Sequence, residues 1–223
     1  MREGICMVKI KSKCALIKTI GSVLLSLIVV NVLQGIVFAN EQFQQIDIIL
    51  QDAFQHARNY PPEFDSQVQR ENLEKDLENV IVLLEQMLKE EGLEQELLFR
   101  LGQANTFAFN LDMTGSKEKT DEYFGQLFKL EPDHAQGNLF YGQHLSGRGE
   151  FDASIEHLQI AADAGLDVAL NMIGLAYLQM GKTDEAKEYF LKFQAKYPNE
   201  PQIKMLLNSL DPSGEHVYKL MKE

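Results

Sequence analysis

The sequence predicts an all-α chain whose antiparallel helix pairs stack into an open right-handed solenoid. Three observations carry that reading. Beyond residue 40, apolar residues recur at intervals of three and four, and the alternation of a half-buried strand is absent. The glycines Gly115, Gly149 and Gly181 are spaced by 34 and 32 residues, a period typical of stacked helical hairpins. Only short turn-like punctuation separates the segments, so residues 40–210 read as one domain without a flexible linker.

Residues 1–39 differ from the rest. Arg2, Lys9, Lys11, Lys13 and Lys18 face a single acid, Glu3, and residues 20–39 carry no charge. A basic start, an apolar stretch and small residues before Asn40 read as a secretory signal, with Met1 or Met7 as the start. The other reading is an uncleaved anchor, since the uncharged stretch is just long enough to span about 30 Å of hydrocarbon. Both readings place the remainder outside the cytoplasm, either periplasmic or secreted, or held at the inner membrane by this segment alone.

Both cysteines, Cys6 and Cys14, fall in that leader, so the remainder is held by its core and not by disulfides. Five bases against one acid in the leader leave the rest at −16, under a whole-chain charge of −12. Such a surface disfavours nucleic acid and anionic headgroups and suits basic protein partners.

Residues 40–100 form an N-terminal helical region. One helix is expected at about 42–58 and a second at about 66–91, divided by Tyr60-Pro61-Pro62. In the second, Leu73, Leu77, Val80, Leu84 and Met87 step by 4, 3, 4 and 3. That seam either pairs with a second copy, making a homo-oligomer, or packs on neighbouring helices of the same chain.

Three repeats follow at 101–134, 135–166 and 167–200. Seven residues before each aligned glycine stands Ala108, Gly142 or Gly174, and four before stands Leu111, Leu145 or Tyr177. Five after comes Thr120, Ser154 or Ala186, nine after comes Phe124, Leu158 or Phe190, and Pro132, Leu166 or Pro198 closes the copy. Small residues let two helices approach and large apolar ones fill the space between them. The glycine supplies the left-handed backbone that ends a helix. A capping helix opening with Pro201 is expected at 201–210, and residues 211–223 are a tail.

The pattern Leu170-x2-Ile173-Gly174-x2-Tyr177, then Ala186-x3-Phe190 and Pro198, resembles the tetratricopeptide repeat family. Leu170 stands where that family usually has Trp. The stretch AADAGLDVALNMIGLAYLQMGK also looks like the related Sel1-type repeats. The resemblance covers about 100 residues and implies a groove on the first helices that holds a protein or peptide. Carried over position by position, the groove residues are Asn105 and Phe109, then Gln136, Leu139 and Gln143, then Asn171, Leu175 and Gln179. Family members that clamp a terminal carboxylate place bases at such positions, and none stands there in this sequence. The amides can bond a peptide backbone as donor and acceptor.

One stretch suggests different chemistry. Residues 176–183, AYLQMGKT, fit the relaxed phosphate-loop pattern with Lys182 as the phosphate base. A phosphate loop needs a strand before it and a small-residue loop whose amides wrap the anion. Here a helical face leads into bulky Tyr177, Leu178, Gln179 and Met180, and Thr183-Asp184-Glu185 opens the next helix. The turn of a hairpin is the expected reading.

His56, His134, His144, His157 and His216 show no metal-ligand spacing. No catalytic, metal or cofactor residue is nominated, and the chain is expected to be an exported adaptor and no enzyme. An envelope enzyme built on acidic helices or His144, or a structural oligomer on the 66–91 helix, are the alternatives.

Overall fold

The structure is a computed structural model, and it describes residues 42–89 and 94–210. The expectations for the leader and for the tail at 211–223 lie outside the described residues. The chain divides into two compact units, Met1–Ile49 and Leu50–Glu223. Of the first, residues 42–49 are helical, with Ile46 buried and Ile48 exposed. No helix among the described residues is long and apolar enough to cross a membrane.

The described residues contain helices and no strand. They are α1 (42–57), α2 (Gln67–Met87), α3 (Glu94–Asn110), α4 (Ser116–Leu130), α5 (Ala135–Gly147), α6 (Phe151–Asp163), α7 (Val168–Gln179), α8 (Thr183–Lys196) and α9 (Pro201–Leu210). Within the second unit, α3/α4, α5/α6 and α7/α8 form three antiparallel pairs that follow one another. The expected all-α solenoid is the fold of this unit. Because α3 begins at Glu94, the first pair reaches upstream of residue 101.

Helix α2 starts where the Ser66 hydroxyl accepts from the Gln69 amide at 3.2 Å. Its stripe of Leu73, Leu77, Val80 and Leu84 is buried within the chain, with α3 as a neighbour. The heptad seam is therefore occupied by the chain's own helices and is not an open dimer face.

Each pair is closed by a large side chain seated on a glycine. A Cβ on Gly142 would stand 2.7 Å from Leu158 Cγ, and one on Gly174 would stand 2.6 Å from Phe190 Cε1. Ser154, at the small position of α6, adds a hydroxyl bond to Gly142 O at 2.7 Å. Helix α9 places Ile203 and Leu207 on Ala186 and Phe190, so it covers the last pair as a cap.

The turns follow the glycine spacing in two of three copies. Gly149 (φ 77°) and Gly181 (φ 72°) end α5 and α7 in the left-handed region. Around Gly181, its amide donates to Leu178 O at 3.0 Å and the Lys182 amide to Tyr177 O at 2.9 Å, which satisfies two helix-end carbonyls. In the first copy the residue doing this is Asp112 (φ 62°), with its amide on Phe109 O and that of Met113 on Ala108 O. Gly115, also left-handed at φ 80°, is instead the N-cap of α4.

The first hairpin thus carries three extra residues in its turn. Counted from Asp112, the contact lies about one helical turn further along each helix than in the other pairs, so Phe124 seats on Gly102 and not on Ala108. Ala108 is buried elsewhere in the core.

Candidate functional site

The stretch that resembles a phosphate loop is resolved first. Ala176 lies inside α7, Gly181 is the hairpin turn, and Lys182 Nζ sits 5.7 Å from the Tyr177 ring centroid. The local backbone is a helix end, not a strand leading into a loop of converging amides.

The first helices of the three pairs, α3, α5 and α7, line one cavity of about 1130 Å³. From α7 come Asn171, Met172, Leu175 and Gln179; from α5 come Gln143, His144, Ser146 and Gly147. From α3 come Thr106, Phe109 and Asn110. The turns add Asp112, Met113, Lys117 and Phe151, and the loop after α1 adds Arg58, Asn59 and Tyr60.

That loop is held in place by its own bonds. His56 Nδ1–H donates to Glu63 O at 3.0 Å, and the Glu63 amide donates to His56 O at 2.9 Å. With its proton on Nδ1, the ring accepts the Gln69 side-chain amide on Nε2 at 3.0 Å. Asn110 Nδ2 ties α3 to Ala57 O at 2.8 Å, and Gln143 Nε2 reaches Arg58 O at 3.4 Å. The 58–60 segment is therefore a fixed wall of the cavity.

The floor is apolar, aromatic and polar in turn. The Phe109 ring meets the His144 imidazole edge-on at 5.0 Å. His144 is 4% exposed, and burial, reinforced by Arg148, lowers its pKa to about 4. Arg148 Nη1 donates to its Nε2 at 3.3 Å, so the imidazole proton rests on Nδ1. At neutral pH this ring is uncharged. Asn171 Oδ1 is buried without a hydrogen-bond partner, an acceptor left over at the cavity wall.

Five of the eight residues expected on the groove line this cavity: Phe109, Gln143, Asn171, Leu175 and Gln179. Three do not. Asn105 is buried, with its side-chain amide bonded to Leu101 O at 2.9 Å. The alignment on Gly115 misplaces it, because the left-handed residue that follows α3 is Asp112, three residues before Gly115. Counted from Asp112, Thr106 and Asn110 take the positions that Leu175 and Gln179 hold in the last copy, and both line the cavity. Leu139 packs on the core of Leu158, Ala161, Ala169 and Ile173, and Gln136 is exposed at the start of α5, off the cavity.

The 58–60 wall escapes the sequence, since it precedes the repeats. Its one signal is the Tyr60-Pro61-Pro62 break. His144 reads in sequence only as a histidine that could face inward.

Comparisons with known proteins agree with this architecture. The tetratricopeptide repeat family model matches residues 169–200, the last pair. No curated protein matches the chain. Among solved structures, PilF of Pseudomonas aeruginosa is similar, with a TM-score of 0.54, 19% identity, and coverage of 82% of this chain and 72% of that one. MamA of Desulfovibrio magneticus RS-1 has a TM-score of 0.54 at 20% identity, covering 71% of this chain and 95% of that one. A further MamA crystal structure has the same TM-score and identity, with 66% and 84% covered. At these identities the likeness is one of fold.

Proposed function

We propose that this chain, which carries a tetratricopeptide repeat at 169–200 within a solenoid of that kind, is an exported adaptor that holds a segment of another protein between α3, α5 and α7. One observation carries the reading: three successive hairpins turn their first helices to a single cavity, and that cavity is lined by amides and apolar side chains. Leu175, 40% exposed on α7, offers apolar contact area there, and Gln143, Asn171 and Gln179 offer paired donors and acceptors. The basic and apolar leader supports a periplasmic or secreted site of action, with assembly of an envelope complex as its setting.

We read the chain as a binding protein and not an enzyme. The one buried histidine at the cavity is uncharged and engaged by Phe109 and Arg148. The charge of −16 beyond the leader favours a partner that is basic overall.

The test is crosslinking and capture from intact cells, comparing the native chain with Gln143→Glu and Asn171→Glu. A groove partner disappears from the captured set in both variants. Capture of the same proteins at equal yield removes the groove from the account.

A further inference from the structure

The cavity's charged side chains have unequal commitments. Asp112 is held from outside the cavity by Arg70, whose Nη2 lies 3.5 Å from its Oδ2 and 2.7 Å from Leu111 O. Lys117 Nζ is 3.3 Å from Asp121 Oδ2. Arg58 makes no ion pair among the described residues, and its guanidinium carbon stands 5.1 Å from the Phe54 ring centroid. An acidic chain thus keeps on the wall of its groove one guanidinium with no acidic partner among the described residues. The backbone carrying it is pinned by His56, Glu63 and Gln143.

We infer that the groove takes an apolar segment bearing one side-chain carboxylate, which seats on Arg58. This rests on the groove reading above and specifies its occupant. Arginine is weakly hydrated and presents a planar fork that matches a carboxylate with two parallel bonds. Asn171 lines the same cavity, and a side-chain amide can bond a peptide backbone as donor and acceptor. Arg58 lies in the loop and Asn171 on α7, so one segment serving both continues as backbone between them and offers its acid from a side chain. The apolar part meets Phe109, Met172 and Leu175. A run of acids is disfavoured by the surrounding charge of −16. The occupant is therefore a mixed segment with a single acid.

The test is selection of a phage-displayed library of random ten-residue peptides against the protein expressed as its full chain. The expected binders carry Asp or Glu at a fixed offset from apolar residues. The strongest, resynthesised with a fluorophore, binds about tenfold more weakly to Arg58→Glu. Reselection on Arg58→Glu replaces the acid by Lys or Arg. Arg58 is exposed, so the variant keeps the fold. Binders that Leu175→Glu abolishes, but that show no acid and ignore Arg58→Glu, overturn this inference and leave the groove reading standing. Binders indifferent to Leu175→Glu overturn the groove reading itself. Absence of any enriched peptide overturns both.

Discussion

Arg148 Nη1 donates to Asp121 Oδ1 at 2.6 Å, joining α4 of the first hairpin to the turn that ends α5. The same carboxylate accepts from the Tyr141 hydroxyl at 3.1 Å, and Arg148 Nη2 lies 2.5 Å from Glu150. The Arg148 side chain is only 9% exposed. This contact fastens consecutive pairs to each other, and Arg148 also bonds His144.

Removing the carboxylate leaves a largely buried guanidinium with Glu150 as its remaining anionic partner. Asp121→Asn is expected to cost about 2 kcal/mol, the scale of a hydrogen bond to a charged group. Lys117→Ala, at a pair with an exposed lysine, is expected to cost under about 0.5 kcal/mol. Urea denaturation of the two variants checks the order.

Stability will fall on mild acidification. His144 is held near 4 by burial and then by Arg148, while an unfolded histidine titrates near 6.5. Between those values the unfolded chain binds the proton and the folded one does not, so stability is full above 6.5 and declines as pH drops toward 4. The shift corresponds to roughly 3 kcal/mol. His157, also lowered by burial, acts in the same direction. Asp121 adds a later loss: burial would raise its pKa, but Arg148 outweighs that and lowers it, so its contribution fades only below the usual carboxylate range. Denaturation midpoints from pH 7.5 to 4.5 should fall for the native chain and flatten in His144→Gln. An unchanged slope in that variant assigns the effect elsewhere.

Two glycines of one hairpin have different reasons to be glycine. At Gly174 a methyl group meets the buried Phe190 ring at 2.6 Å, and neighbouring packing leaves the ring little room. Gly174→Ala should cost about 2 to 3 kcal/mol, as overpacking does. At Gly181 nothing lies within 4 Å, and only the left-handed backbone objects. Gly181→Ala should cost about 1 kcal/mol. Thermal melts that rank the two in the opposite order contradict the packing account.

The hairpin architecture was legible because glycine, small and aromatic positions recur with the same offsets in α5/α6 and α7/α8. The first hairpin misled at one helix only. Thr120 and Phe124 keep their offsets from Gly115, but the left-handed turn after α3 falls at Asp112, an aspartate in a conformation that sequence patterns assign to glycine. Counted from Asp112, the place assigned to Asn105 falls on Gly102, and Thr106 and Asn110 take the places of Leu175 and Gln179. The 58–60 wall was hidden for another reason. It arises from bonds of His56 to Glu63 and Gln69, contacts that no periodicity records. The stripe on α2 was visible as a stripe, but whether it met α3 or a second copy was a tertiary question.

The central claim is that another polypeptide sits between α3, α5 and α7. Its most direct measurement is photocrosslinking in the intact cell, from a photoreactive residue placed at Leu175 and, as a control, at Met205 on the outer side of α9, which is 65% exposed. The account predicts a protein adduct from Leu175 that is absent from Met205 and abolished by Gln143→Glu. Equal adducts from both positions, unaffected by that substitution, would contradict it.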